Sequence, residues 1–248
     1  MKSGLDFIGM IVDRSGSMGS LINDTINGYN SFINDQKILP REAVTLLTLF
    51  DHNIEIHPIE DIKTCKLMSR GNLTRQNLYQ TFVNGQPVSS TTTSSEVENT
   101  IPYVVGGSTA LLDAIGQTIN HIGNYLKNLP ESERPEKVII GIITDGEENA
   151  SREFSNSQIK EMINHQQDVY NWKFIFMGAN IDSFSVAGNI GISKNMTMNY
   201  AATGKGVHTA YYSSNIATSN LRCASPAEYS ANVINLTDIA AEVEAGNV

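Results

Sequence analysis

The feature that most limits what this chain can fold into is an alternation of continuously apolar runs with segments of helical spacing. The apolar runs, rich in Ile, Val, Leu and Phe, occupy residues 7–12, 43–50, 138–143 and 174–177. Strands that are covered on both faces have this composition, so the runs are predicted to be central parallel strands. Between the runs, helical spacing predicts two amphipathic helices. Their apolar faces are formed by Ile22, Ile26, Tyr29 and Ile33 and by Leu112, Ile115, Ile119, Ile122 and Leu126.

A shorter run is predicted to form an antiparallel edge strand. Ile54 and Ile56 alternate with Glu55 and His57 directly after residues 51–53, the pattern of a half-solvated strand that follows a tight turn. The repeated alternation predicts an α/β fold: a doubly wound, mostly parallel central sheet with one antiparallel edge strand and helices on both faces. Further helices are predicted around residues 159–163, 182–187 and 206–222, with a strand near residues 196–199.

Length and composition fit a single globular domain. A chain of 248 residues that is 40% hydrophobic can form one α/β core, so we predict one domain over residues 1–222. Residues 63–95 contain no acidic residue and four basic ones, which predicts a polar insertion at about residues 63–100. We interpret it as a solvated loop in preference to a basic arm that embraces an acidic partner, because its charges are sparse. Residues 223–248 are predicted to be a C-terminal tail, either one amphipathic helix or partly disordered.

Charge and cysteine content argue against several classes of protein. A formal net charge of -9 repels a phosphate backbone and no basic helix offsets it, so we expect no nucleic-acid partner. Cys65 and Cys223 are too few for a disulfide framework or a cysteine-based zinc site. The sequence has no signal-peptide pattern and no apolar stretch of membrane-spanning length, so we expect a cytoplasmic protein without a membrane partner. Export without an amino-terminal signal stays open, and the oligomeric state is not determined.

Three polar segments lie where predicted strands end or predicted helices begin. The first has Asp13, Ser15 and Ser17 alternating directly after the first strand. The second has Thr109 in a glycine-rich turn before a long helix, and the third has Asp145 at the end of the third apolar run. Ligands of such sheets bind beyond the carboxyl ends of the strands, so these oxygens are predicted to arrive at one edge of the sheet. Carboxylate and hydroxyl oxygens are ligands that suit Mg²⁺.

Each segment also has an ordinary structural interpretation. The serines of the first segment can cap the first helix, Thr109 can cap the helix after it, and Asp145 with Gly146 can form a plain turn. The occurrence of all three segments in the right order and context favours metal binding over three separate explanations. A helix–loop–helix calcium site is disfavoured, because Met18 stands where that loop requires glycine.

Together the segments resemble the metal-ion-dependent adhesion site of von Willebrand factor type A domains. The motifs are D-x-S-x-S, a threonine in a glycine-rich turn before L-x-D-A, and T-D-G after an apolar strand. The resemblance covers residues 5–199 and implies the Rossmann-like fold of that family, although the insertion is longer and more polar than the family's usual connection. A further similarity, to intracellular members of bacterial or phage type, rests on residues 178–182 and 187–192. The positions that match the family's metal ligands are Asp13, Ser15, Ser17, Thr109 and Asp145.

The resemblance implies a module that binds proteins through one divalent cation, Mg²⁺, with Mn²⁺ and Ca²⁺ as alternatives. Three of the five ligands are neutral hydroxyls, so the ion stays electrophilic toward an outside anion. An Asp or Glu carboxylate from a protein partner would satisfy it, and we therefore expect a non-catalytic adaptor or assembly factor. The alternative is a metal-dependent hydrolase that uses the same ion. The sequence has neither a nucleophile elbow nor a phosphate loop, and only Glu147 or Glu148 is placed to act as a general base.

Two residues next to the predicted ligands are candidates for holding them in place. Asp113 is expected either to fix the ligand loop from behind or to stabilise the amino terminus of its helix, and the sequence does not choose between these roles. Gly146 follows the last predicted ligand and belongs to the same T-D-G motif. We expect Glu147, Glu148 and Glu153 to be solvated.

Overall fold

The computed structural model describes residues 1–71, 82–83, 86–87 and 100–247. Its strands, in chain order, are β1 (Lys2–Asp13), β2 (Glu42–Phe50), β3 (Ile54–Ile56), β4 (Glu60–Asp61), β5 (Leu67–Arg70), β6 (Phe82–Val83), β7 (Gln86–Pro87), β8 (Thr100–Tyr103), β9 (Pro135–Thr144), β10 (Lys173–Gly178) and β11 (Thr197–Asn199). Its α-helices are α1 (Ile22–Lys37), α2 (Leu111–Asn128), α3 (Asn156–Tyr170), α4 (Ser183–Asn189), α5 (Gly204–Cys223), α6 (Pro226–Ala231) and α7 (Leu236–Ala245). Short 3₁₀ helices span Gly16–Leu21, Glu131–Glu133 and Lys194–Met196. Among the helices of these ranges, none is long and apolar enough to cross a membrane.

The central sheet has the strand order β11-β10-β9-β1-β2-β3. Its pairs from β11 to β2 are parallel, whereas β3 and β4 both pair antiparallel with β2 along the same edge. This confirms the prediction of a mostly parallel sheet with an antiparallel edge, and that edge is built from two short strands. The strands β9 and β10 are buried along almost their whole length, as their continuous apolar sequences predict.

The chain changes direction across the sheet between β1 and β9. It runs from β1 to β2 on one side and later returns to β9 on the other side of β1. In open α/β sheets, the crevice at such a point, beyond the carboxyl ends of the strands, is where ligands bind. The register pairs Val12 with Ile143, which places the next residues, Asp13 and Thr144, beside each other at this crevice.

Helices cover both faces of the sheet. The neighbours of two strand glycines, Gly9 and Gly141, show which helix packs on which face. A Cβ added to Gly9 would lie 3.6 Å from Ile122 Cδ1 of α2. A Cβ added to Gly141 would lie 2.7 Å from Met10 Sδ and 3.8 Å from Ser214 Oγ of α5. Gly9 and Met10 are consecutive in β1, so they face opposite sides of the sheet. The helices α2 and α5 therefore pack on opposite faces, as the doubly wound fold requires.

The two ends of the predicted insertion pair with each other. Strands β5 and β8 are parallel, with Leu67 opposite Thr100 and Arg70 opposite Tyr103. The Gly71 amide extends the contact by donating to the Tyr103 carbonyl at 3.2 Å. Strands β6 and β7 form an antiparallel pair. The remainder of the predicted solvated loop lies outside the described residues.

The C-terminal tail forms two helices, so the alternative of one continuous amphipathic helix is wrong. Asn232 adopts the left-handed conformation with φ 50° at the end of α6, and the Asn235 side chain caps α7. Asparagine tolerates the left-handed conformation that stops a helix better than most residues do. Leu236 is fully buried, and the Tyr229 hydroxyl donates to the Val138 carbonyl at 3.0 Å. Both helices are thereby anchored to the rest of the chain.

Candidate metal site

The three polar segments meet at the carboxyl ends of β1 and β9. Asp13 is the last residue of β1, and the chain then enters the 3₁₀ helix Gly16–Leu21, which leads into α1. Thr109 lies two residues before the start of α2, and Asp145 directly follows the last residue of β9. The crevice formed by the strand order is therefore the place where the predicted ligands lie.

Hydrogen bonds connect four of the five predicted ligands. The Ser17 hydroxyl donates to Asp145 Oδ1 at 2.5 Å, and the hydroxyl oxygens of Ser15 and Ser17 lie 3.1 Å apart. The Ser15 amide donates to Asp13 Oδ1 at 2.6 Å. The Thr144 hydroxyl donates to Asp13 Oδ2 at 2.6 Å, so both oxygens of Asp13 are held. The first and third segments are thus joined through their side chains.

Thr109 joins this group in the space above Gly146. A Cβ added to Gly146 would lie 2.9 Å from Thr109 Oγ1, 3.4 Å from Ser17 Oγ and 3.7 Å from Ser15 Oγ. Three hydroxyl oxygens from two segments therefore lie within 4 Å of one point, which the glycine leaves free. A larger residue at position 146 would occupy that point.

Backbone contacts fix the first two loops against each other. The Gly16 amide donates to the Gly107 carbonyl at 3.0 Å, and the Gly106 amide donates to the Arg14 carbonyl at 2.9 Å. Gly107 has φ +73°, which favours glycine, and a Cβ there would meet the ring of His52 at 2.0 Å. These contacts hold the serine loop beside the turn that carries Thr109.

Both carboxylates of the group, Asp13 and Asp145, are buried. Asp13 is 0% exposed and Asp145 is 3% exposed. Among the described residues, no Lys, Arg or His forms an ion pair with either of them. Burial raises the pKa of Asp13 to about 6, and the nearby charge of Asp145 contributes to this rise. The hydrogen bonds from Thr144 and Ser15 lower this pKa, but by less than burial raises it. Burial also raises the pKa of Asp145. A cation beside both carboxylates would offset this cost of burying charge.

The donor set fits a hard divalent cation. Two carboxylates and three hydroxyls offer oxygen alone, which is the chemistry that Mg²⁺, Mn²⁺ and Ca²⁺ accept. Within the ranges that the structure describes, His, Cys, Asp and Glu side chains form no group of three or more that could hold a metal. A site in this part of the chain would therefore depend on hydroxyl ligands. Ser17 is exposed whereas Asp13 and Asp145 are buried, so the group is open to solvent on the Ser17 side.

Asp113 and Glu148 hold the loop between β9 and α3 against the start of α2. Asp113 accepts hydrogen bonds from three consecutive backbone amides, those of residues 152–154, at 2.8–2.9 Å. Glu148 accepts from the amide of Leu112 at 2.9 Å and from the amides of residues 150–151 at 2.8–3.0 Å. The expectation that Glu148 is solvated is therefore wrong. Its carboxylate accepts hydrogen bonds from backbone amides at the start of α2 and in the loop, which would otherwise lack an acceptor.

The other two glutamates of this region have little contact with the rest of the site. Glu147 is exposed. Glu153 is also exposed and accepts a hydrogen bond from the Gln117 side chain at 2.7 Å. The solvated environment expected for these two residues agrees with their exposure.

Sequence reasoning assigned no role to three residues that contact the predicted ligands or their neighbours. The Tyr103 hydroxyl donates to the Asp13 carbonyl at 2.5 Å, and the Tyr200 hydroxyl donates to the Thr144 carbonyl at 3.1 Å. The Asn149 side chain accepts from the Thr109 amide at 3.0 Å. Neither tyrosine belongs to a recognisable sequence motif, so the neighbouring residues would not have identified them.

Comparison with known proteins identifies the fold and no closer relationship. No family model matches the chain, and no curated protein matches it. A structure of proximal thread matrix protein 1 from the mussel byssus, with its MIDAS motif occupied by zinc, is similar at a TM-score of 0.53 and 12% identity over 86% of this chain. The pilus adhesin SpaC from Lactobacillus rhamnosus GG, in its open conformation, has a TM-score of 0.54 at 11% identity over 86% of this chain.

A third similar structure carries the name of the fold. The von Willebrand factor type A protein from Catenulispora acidiphila has a TM-score of 0.50 at 12% identity over 87% of this chain. The present chain spans less than half the length of these solved chains: 46% of the mussel protein, 30% of the adhesin and 43% of the Catenulispora protein. With its parallel sheet, antiparallel edge and two helix layers, the chain has the Rossmann-like fold of von Willebrand factor type A domains.

Proposed function

We propose that this chain is a protein-binding module, an adaptor or assembly factor, that captures an acidic residue of a partner through one divalent cation. The proposed ligands are Asp13, Ser15, Ser17, Thr109 and Asp145. The observation that carries the proposal is the placement of three hydroxyl oxygens within 4 Å of one point beside Gly146, next to two buried carboxylates. Oxygen ligands in this number favour Mg²⁺, and the same set suits Mn²⁺ or Ca²⁺.

The composition of the ligand set explains why a partner would be acidic. When bound, the ion supplies a positively charged position that an additional oxygen can occupy. Asp13 and Asp145 balance a divalent charge, whereas the serine and threonine ligands are neutral, so an incoming carboxylate meets little opposing negative charge from the protein. The exposed side of the group, at Ser17, is the direction from which a partner would approach. The zinc-occupied MIDAS motif of the mussel protein supports a divalent ion in this fold.

A single carboxylate contact is too small to determine which partner binds. Stable protein interfaces bury roughly 1,600 Å² in total, so the surface around the ion must supply most of the complementarity. The segments that surround the group are residues 19–23 and 147–153, and the exposed His52 lies over Gly107 at the same edge. We propose that these residues select the partner.

A metal-dependent hydrolase is the competing proposal, and one observation weakens it. A hydrolase would need a general base beside the ion. Glu148 is already bound to the amides of Leu112 and residues 150–151, which leaves the exposed Glu147 as the remaining candidate. We therefore favour the binding module.

A thermal unfolding experiment tests the metal site. The chain is freed of metal with a chelator, and its Tm is then measured with and without Mg²⁺ or Mn²⁺. At a metal concentration about 100 times the Kd, we expect a rise in Tm of about 5–10 °C. The Asp13→Ala protein should lose this rise. Asp168→Ala, which removes the same charge from an exposed position on α3, should keep it. An unchanged Tm for the wild-type chain would refute the site.

A second experiment separates binding from catalysis. The wild-type chain is used as bait for protein partners with Mg²⁺ and with chelator, beside the Asp145→Ala chain with Mg²⁺. We expect a partner that is retained by the wild-type chain with Mg²⁺ and by neither control, and that is lost when its own acidic residues are replaced. The same proteins are assayed for turnover of phosphate esters and nucleotides. Metal-dependent turnover that disappears in Asp145→Ala would replace the binding module with the hydrolase.

A further inference from the structure

Tyr103 is buried directly behind the candidate metal site. It is the last residue of β8 and is 1% exposed. Its hydroxyl donates to the carbonyl oxygen of Asp13 at 2.5 Å, so it reaches the backbone of a proposed ligand from the interior. Tyr103 is not itself a proposed metal ligand, because its hydroxyl is bound to the Asp13 carbonyl.

The Asp13 carbonyl lies at the end of β1, where Asp13 still pairs with Phe50 of β2 but the pairing with β9 has stopped. The pairing of β1 with β9 ends at Val12 and Ile143, one residue before Asp13. At this position the Tyr103 hydroxyl supplies a hydrogen bond to the carbonyl. A buried carbonyl left without a donor would cost free energy comparable to that of a lost hydrogen bond.

The peptide group between Asp13 and Arg14 is held at both of its ends. Its N–H, on Arg14, donates to the Phe50 carbonyl at 2.7 Å, and its C=O, on Asp13, accepts from Tyr103. Because a peptide group is planar, two such contacts fix its orientation. This peptide is the point at which the chain leaves β1 and turns toward Ser15 and Ser17.

We infer that Tyr103 is a positioning residue for the metal site, an inference that rests on the proposed function. Its hydroxyl sets the plane of the Asp13–Arg14 peptide, and this plane sets where the oxygens of Asp13 and Ser15 lie. Mg²⁺ and Mn²⁺ bind oxygen ligands within a narrow range of distance and angle, so a small rotation of this peptide weakens the site. Removing a residue that orients a metal ligand through a hydrogen bond typically changes metal affinity by about 10- to 100-fold.

Tyr229 provides a matched control within the same chain. It is 3% exposed, and its hydroxyl donates to a strand carbonyl, that of Val138 in β9, at 3.0 Å. Val138 lies near the amino end of β9, away from the carboxyl end where Asp145 follows. Replacing either tyrosine with phenylalanine removes one buried hydroxyl and one hydrogen bond to a strand carbonyl. Only Tyr103→Phe does so at the candidate site.

The test compares the wild-type chain, Tyr103→Phe and Tyr229→Phe in two measurements. The first is the Tm of the metal-free proteins, which we expect both substitutions to lower by a similar few degrees. The second is titration with Mn²⁺ followed by electron paramagnetic resonance, which gives the Kd and a spectrum that reports the symmetry of the bound ion. We expect Tyr103→Phe to bind Mn²⁺ about tenfold more weakly with an altered spectrum, and Tyr229→Phe to match the wild type.

The outcomes distinguish this inference from the function on which it rests. If the wild-type chain binds no Mn²⁺, the proposed metal site itself is refuted. If the wild-type chain binds Mn²⁺ and Tyr103→Phe binds it as tightly as Tyr229→Phe with an unchanged spectrum, the metal site stands and the positioning role of Tyr103 is overturned.

Discussion

The Ser17 hydroxyl donates a 2.5 Å hydrogen bond to the Asp145 carboxylate, although the two residues are 128 positions apart in the sequence. Ser17 is exposed on the 3₁₀ helix that follows β1, and Asp145 is buried at the end of β9. The contact joins the two sides of the crevice at which the chain changes direction across the sheet. It also places a neutral hydroxyl beside a buried carboxylate, so one ion could contact both residues.

Replacing Ser17 should weaken metal binding. Ser17→Ala removes a proposed ligand together with its hydrogen bond to the buried Asp145 carboxylate, so we expect at least about a tenfold loss of Mg²⁺ affinity and a metal-free Tm that is lower by a few degrees. Isothermal titration calorimetry measures the affinity. Ser20→Ala is the matched control, because Ser20 is exposed on the same 3₁₀ helix. Equal affinities for the two variants would remove Ser17 from the ligand set.

Adding one methyl group at Gly146 should abolish the metal response. Its Cβ would lie 2.9 Å from Thr109 Oγ1, so the Thr109 hydroxyl must move, and it would stand in van der Waals contact with Ser17 Oγ at 3.4 Å, in the space that an ion would need. We expect Gly146→Ala to show no rise in Tm with Mg²⁺. Gly106→Ala lies in a neighbouring loop with no atom within 4 Å of the added Cβ, and it should retain the rise. A normal response from Gly146→Ala would indicate that an ion binds elsewhere.

At neutral pH, the buried Asp13 carboxylate should make the metal-free chain less stable than a chain with a neutral residue at this position. Its pKa is raised to about 6 in the folded state, so the folded chain binds this proton more tightly than the unfolded chain does. The resulting stabilisation is present at low pH and is lost as the pH rises through about 6. At pH 7.5 the ionised group costs on the order of 1–3 kcal/mol, which Asp13→Asn removes.

Urea unfolding in the presence of chelator measures this effect. Asp13→Asn should be more stable than the wild-type chain at pH 7.5, and the difference should shrink as the pH falls from 6 toward 4. The same variant should lose most of the rise in Tm with Mg²⁺, because a neutral amide replaces a charged ligand. A difference in stability that does not vary with pH would contradict the assignment.

Asp113 should contribute more stability than an ordinary acidic residue at a helix amino terminus. Asp113→Ala leaves three loop amides without an acceptor, so we expect the free energy of unfolding to fall by about 2–3 kcal/mol. Asp238 lies in the first turn of α7, and Asp238→Ala should cost less than about 1 kcal/mol. Urea unfolding of both variants compares the two losses. Equal losses would favour the helix-dipole role for Asp113 over the loop-fixing role.

Local patterns in the sequence were sufficient to predict most of the secondary structure. Apolar runs of strand composition and apolar faces of helical spacing each depend on neighbours within a few positions, so they can be read without knowing the fold. The antiparallel edge at Ile54–Ile56 was visible for the same reason. The tail was less predictable, because its apolar residues suggested one helix while Asn232 and Asn235 divide it into two.

The sequence by itself determined the sheet, its edge strand and the residues that are candidates for metal binding, because each of these depends on the type and spacing of nearby side chains. Only the tertiary structure decided which atoms meet: the hydroxyls of Ser15, Ser17 and Thr109 around Gly146, the Glu148 carboxylate on the start of α2, and the Tyr103 hydroxyl on Asp13. These contacts join segments that are far apart in the chain. Their geometry depends on the register of β1 against β9 and on the packing of the loops, which no local pattern encodes.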